Sequence, residues 1–232
     1  MGDSVRFSSL LAVVLVAMLT AACGSAPVRP VAVAPPPPPP PPPPVLLDPD
    51  AACRADLTAS HAMFQQLDTF GEGQCHIANP VRMTAGPIPF NHPGVLNCET
   101  ARTLTRFVDD VIQPLAQKYF GQSVIRINHM GTYDCRARRT ETASKDMGTS
   151  KAGRLSEHAM GRAIDFAGVE LADGRMISVR ENWHSTGAQG TFLHQVAREA
   201  CKNFNVVLTP NHDRLHQDHI HMDTGPYTLC GY

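Results

Sequence analysis

The sequence predicts an α+β domain with a small, mostly antiparallel sheet and flanking helices, carried at the end of an exported chain. Three observations predict it. Two stretches repeat apolar residues at helical spacing, and five short strand signals lie among them without alternating strictly. Setting aside the N-terminal signal and a proline-rich run also leaves about 180 residues, enough for a single core.

Residues 1–22 read as an export signal, with one cation (Arg6), an apolar run from Leu10 to Leu19, and small residues before Cys23. That run is too short to span a bilayer. Leu19-Thr20-Ala21-Ala22-Cys23-Gly24 fits a relaxed lipobox, so Cys23 is the expected site of lipidation; cleavage after a small residue to give a plain secreted protein is the alternative. Gly24 after the cysteine is the pattern of outer-membrane lipoproteins. The expected location is therefore the cell envelope, at the outer membrane facing the periplasm, or else the periplasm or the exterior. Residues 23–52 form the lipidated N-terminus and linker, in which Pro35–Pro44 are ten consecutive prolines. Without amide donors they form neither helix nor ladder, and as polyproline II they make a stiff spacer of roughly 31 Å.

Residues 53–232 are the folded domain. A weak helix is expected from about Cys53 to Leu67. A strong one carries Leu104, Phe107, Val108, Val111, Ile112 and Leu115 on one face, kinked or ended by Pro114. Strands are expected at Ser123–Ile127, Ala163–Val169, Met176–Val179, Val206–Leu208 and Ile220–Asp223. Between the third and fourth of these, Leu193, Val196, Ala197, Ala200, Cys201 and Phe204 mark a second helix, with Thr191 as its N-cap and Cys201 turned inward.

The net charge of −1 and the lack of a dense basic cluster, despite Arg136, Arg138 and Arg139, argue against nucleic acid as a partner. Seven cysteines are present, and assigning Cys23 to lipid leaves Cys53, Cys75, Cys98, Cys135, Cys201 and Cys230. An even set in an oxidising compartment implies disulfides, with the pairing open. The absence of a CxxC pair argues against a cysteine zinc cage or a thioredoxin-like centre.

Two clusters carry the chemistry. His212, His216, His219 and His221 crowd together with Asp213, Asp218 and Asp223. As a strand, 218–223 sends His219, His221 and Asp223 to one face and Ile220 and Met222 to the core. In Ser156–Phe166, Gly161 marks a turn into a strand, so Asp165 points away from Ile164 and Phe166 while His158 reaches the same place from the turn. Two imidazoles and one carboxylate make three protein ligands and leave a position open, as a catalytic zinc requires. His61, His76, His92, His129, His184, His194 and His212 are read as ordinary surface or core histidines. Asp223 is read as a turn cap, and Ser156 and Glu157 as loop hydrogen-bonding residues.

Ser-x-His-x-x-Gly-x-Ala-x-Asp followed by His-x-His resembles the zinc D-Ala-D-Ala carboxypeptidases and endopeptidases of the lysostaphin and hedgehog type. With Gly131–Arg136, Ser156–Asp165 and His216–His221, the chain from Cys53 onward is more similar still to the bacterial extensin-like C-terminal domain family. The resemblance implies a hedgehog-like fold with a zinc ion on His158, Asp165 and His221. It also implies Asp218 as general base, His216 and His219 as stabilisers of the reacting oxygen, and Arg136 as a grip on substrate, although Cys135 beside it departs from the peptidase motif. The implied activity is a zinc metallopeptidase acting on peptidoglycan peptides, with an activating envelope protein as a possible partner. The alternative is a non-catalytic zinc-containing lipoprotein that binds or scaffolds the cell wall.

Overall fold

The computed structural model describes residue 48 and residues 50–139 and 154–232; the signal, Cys23 and the proline run lie outside the described residues. Helix α1 (Ala51–Ala59) is shorter than expected, because the chain after it becomes strand β1 (Met63–Gln66). Next come β2 (Thr69–Phe70) and β3 (Ile77–Ala78), which form a two-stranded ribbon, then β4 (Val81–Ala85) and β5 (Pro89–Leu96). Helix α2 (Cys98–Phe107) starts at Asn97, whose side chain accepts from the Thr100 amide at 2.8 Å. It runs through a π turn at Val108–Ile112 into α3 (Gln113–Phe120). Pro114 thus neither ends nor breaks the apolar stripe: proline lacks an amide, and the wide turn just before it relieves the ring's clash with the preceding turn.

The rest comprises β6 (Val124–His129), β7 (Ala163–Leu171), β8 (Met176–Ser178), the single turn α4 (Val179–Asn182), α5 (Ala188–Asn203), β9 (Val206–Leu208), β10 (Ile220–Asp223) and β11 (Leu229–Gly231). Helix α5 begins one turn before the expected cap. Gly187 is the N-cap, and Thr191 lies inside the helix with its hydroxyl donating to the Gly187 carbonyl at 3.0 Å.

The fold is α+β, built on a nine-stranded sheet ordered β1-β4-β5-β6-β7-β10-β9-β11 with β8 beside β7. Most pairs are antiparallel, but β5–β6 and β9–β11 are parallel, so the sheet is mixed and larger than the sequence implies. Before residue 97, β4 alternates, with Val81, Met83 and Ala85 buried and Arg82 and Thr84 exposed, but β1 and β5 lack the pattern that marks strands. Strand β5 carries Pro89 and Pro93, which cannot donate to a ladder. Beyond its single register pair with β6, Phe90 with Ile127, the Asn91 side chain takes over: its amide donates to the His129 carbonyl and its oxygen accepts the His129 amide, both at 3.0 Å.

Leu104, Phe107, Ile112, Phe192, Leu193 and Val196 pack onto one face of the sheet, against Ile127, Ile164, Phe166, Ile220 and Met222, all nearly or wholly buried. Three disulfides, Cys53–Cys98, Cys75–Cys135 and Cys201–Cys230, fasten α1 to α2, the turn at 73–75 to the segment after β6, and α5 to β11. Cys201 is partly buried against the core. Among the described residues no helix is long and apolar enough to cross a membrane.

Candidate metal centre

The pleat turns alternate residues of three adjacent strands to the face away from the helices. Antiparallel register sets His221 of β10 opposite Asp165 of β7 on one side and opposite Leu208 of β9 on the other. A row Leu208, His221, Asp165 therefore crosses the sheet. His158 arrives from the 3-10 turn Glu157–Met160, which the Ser156 hydroxyl caps. Gly161 ends that turn at φ +62°, and a Cβ there would meet the Asn97 backbone nitrogen at 2.9 Å, so only glycine fits. The turn therefore swings the imidazole back over the sheet.

Three donor atoms converge. His158 Nε2 lies 3.1 Å from both Asp165 Oδ1 and His221 Nδ1, and the last two are 3.0 Å apart. The outer nitrogen of each ring fixes which form it takes. His158 Nδ1 is 2.6 Å from the Thr132 carbonyl, which can only accept, so Nδ1 carries the proton. His221 Nε2 likewise donates to Asp223 Oδ2 at 3.0 Å, and Asp223 Oδ1 accepts the Gly225 amide. With the outer nitrogens donating, the inner nitrogens and the Asp165 oxygen face one another, an arrangement that repels itself unless a proton or a cation sits among them. Donors at about 2.0–2.2 Å from a tetrahedral ion stand about 3.3–3.6 Å apart, so this triangle is a few tenths of an ångström tight and otherwise fits. Electrostatics also call for positive charge there. Burial disfavours a charged His221, but Asp165 and Asp223 outweigh it and push its pKa up to about 9. Burial likewise opposes ionisation of Asp165, yet hydrogen bonds from His158 and His221 hold its carboxyl far below the usual range.

More histidines ring this group. His219 Nε2 is 3.4 Å from Asp165 Oδ1, while its Nδ1 donates to Asp218 Oδ1 at 2.9 Å. Asp218 Oδ2 accepts from Arg180 at 2.7 Å. Burial raises the Asp218 pKa, but His219 and Arg180 together bring it below normal. His216 donates from Nδ1 to Asp213 at 2.6 Å, and its ring centre is 5.2 Å from that of His219 and 6.0 Å from that of His221. Burial pulls its pKa down more than Asp213 lifts it. Apart from Arg180, these residues line an open cleft of about 1070 Å³, with Val206, Leu208 and Leu215 as an apolar wall.

A family model described as Extensin-like protein C-terminus matches residues 51–231. The chain belongs to the extensin-like family. No curated protein and no solved structure matches it.

In this extensin-like domain His158, Asp165 and His221 come together, with His219 beside them and His216 next. Asp218 stands one hydrogen bond further out, behind His219. Arg136 lines the cleft with its Nε donating to Asp134 at 2.7 Å, and its neighbour Cys135 is tied to Cys75. Asp223 joins the centre as well as capping a turn, and His212 lines the cleft rather than standing apart. Three contributors have no signal in the sequence: the Thr132 carbonyl, Arg180 and Tyr227. Asp213 stands in the crowded histidine segment, and the structure gives it the role of holding His216.

Proposed function

We propose that this protein is a zinc-dependent peptidase acting on peptidoglycan peptides in the bacterial envelope. The observation that carries the reading is the convergence of three potential ligand atoms, each imidazole fixed by an outer oxygen, in an open cleft of about 1070 Å³. His158, Asp165 and His221 would hold the ion, which when bound supplies a Lewis acid able to polarise a carbonyl and to acidify water. His219 is the group that exchanges protons with the reacting atoms, and Asp218, fixed by Arg180, holds its Nδ1 proton and orients the ring. His216, its Nδ1 proton held by Asp213, would stabilise a developing oxyanion in its protonated form, with Nε2 as the donor. The kinship with D-Ala-D-Ala peptidases, the lipid anchor at Cys23 and the proline spacer belong to the same proposal, because they bring the site to the wall.

The test is metal analysis of the purified protein combined with digestion of isolated peptidoglycan, read by mass spectrometry of the released peptides. One zinc per chain and new stem-peptide fragments are expected, both lost in His158→Ala, Asp165→Ala and His221→Ala. Zinc without cleavage, even with envelope proteins added back, would favour the wall-binding scaffold instead. Cys23→Ser should leave the membrane fraction; unchanged fractionation rejects the anchor.

A further inference from the structure

The lip of the cleft holds a second cluster that takes no part in the metal centre. Residues 137 and 155 form an isolated antiparallel bridge, and the Arg138 amide donates to the Arg154 carbonyl at 2.9 Å. That pairing brings two guanidinium groups to one ring: Arg154 lies 4.5 Å and Arg138 5.4 Å from the centre of Tyr227. Tyr227 follows Gly225 and Pro226 in the chain leaving β10, and it lines the cleft together with Arg138. Among the described residues no carboxylate forms an ion pair with Arg138 or Arg154, whereas Arg136 already pairs with Asp134.

Two like charges gathered on one exposed ring repel each other, and the aromatic face offsets only part of that. An anion between them removes the cost. A guanidinium against an aromatic ring keeps N–H donors free at its edge, in the fork that matches a carboxylate. The ring also restrains both side chains before any ligand arrives, which reduces the entropy lost on binding. The aliphatic wall of Val206, Leu208 and Leu215 suits the uncharged part of the same ligand.

We infer that Arg138, Arg154 and Tyr227 form a carboxylate-binding subsite that selects acidic peptides for the cleft. The inference rests on the reading of the cleft as a peptide site, and it adds a specificity element remote from the metal ligands. Full-length protein carrying His219→Ala, in which turnover is blocked, is titrated with a purified muropeptide bearing free carboxylates and with the same muropeptide fully amidated. The free acid should bind more tightly. Arg138→Gln and Arg154→Gln should each weaken the acid form about tenfold and the amidated form hardly at all. Tyr227→Leu should weaken the acid form about threefold. Arg138→Lys, which keeps the charge without the fork, should fall between Arg138→Gln and the parent. Zinc content should be unchanged throughout. Equal affinity for acid and amide, or equal losses for both, overturns the subsite. So does arginine-dependent binding to phosphatidylglycerol vesicles without muropeptide discrimination, which would make the cluster a lipid-headgroup contact. If protein without the His219 substitution cleaves nothing while charge-dependent binding persists, the peptidase reading fails and the subsite stands.

Discussion

At the scale of single residues, outer oxygens decide what the inner nitrogens can do. Asp223 is 1 % exposed and holds the proton on His221 Nε2 while accepting the Gly225 amide. Asp223→Asn keeps the shape but weakens the anchor on that proton, so zinc affinity should fall about 10–100-fold, measured by competition with a chelator. An unchanged affinity would show that His221 is oriented by packing alone. For proton transfer, Asp218→Ala and His219→Ala should both retain zinc, with muropeptide turnover down about 100-fold or more in His219→Ala and less in Asp218→Ala. The reverse order would move the base role from His219 to Asp218. His129 gives a pH effect on stability. It is buried, its Nε2 donates to the His92 carbonyl, and burial drives its pKa from 6.5 down to about 4. Between those values the unfolded chain binds a proton that the folded chain refuses, so stability falls as pH drops through that window, by roughly 3 kcal/mol at most. His129→Gln should flatten this part of the stability curve in urea titrations; an identical slope would assign the acid sensitivity elsewhere.

At the scale of elements, the turn Glu157–Met160 sets one candidate ligand against a sheet that carries the other two. Its exit through Gly161 is the weak point, with a left-handed backbone and no space for a Cβ. Gly161→Ala should cost about 1–2 kcal/mol for the backbone alone, and more because the Asn97 amide that donates to the Gly161 carbonyl at 2.8 Å must shift. Zinc affinity should drop along with the denaturation midpoint. A variant with full stability and full affinity would mean that the turn relaxes freely. The same pleat logic separates Val207, buried in the core, from Val206 and Leu208, which line the cleft.

At the scale of the whole molecule, helices cover one face of the nine-stranded sheet and the other face carries the cleft. The disulfides close separations of 45, 60 and 29 residues, each of the kind that stabilises by about 2–4 kcal/mol. Two of them act near the cleft. Cys75–Cys135 pins the segment that bears Arg136, and Cys201–Cys230 pins β11, whose Leu229 lines the cleft. The alternating strands Ala163–Leu171 and Ile220–Asp223 were legible in the sequence, as were the two apolar helices, because periodic burial writes itself into residue order. Of the strands from Met63 to Leu96, β4 alternates over Val81, Met83 and Ala85 but is only five residues long, while prolines and polar residues obscure the pattern in β1 and β5.

The sequence by itself determined the residue types of the candidate metal centre and the face on which His221 and Asp165 lie, because pleat and turn chemistry are local. It also determined that six cysteines are available for pairing. Tertiary structure alone decided the three disulfide partners, the Thr132 carbonyl behind His158, the Arg180–Asp218–His219 chain and the meeting of Arg138, Arg154 and Tyr227. These contacts join segments whose separation along the chain bears no fixed relation to distance in space. Only the packed sheet, with its register set by burial of Ile164, Phe166, Ile220 and Met222, brings them together.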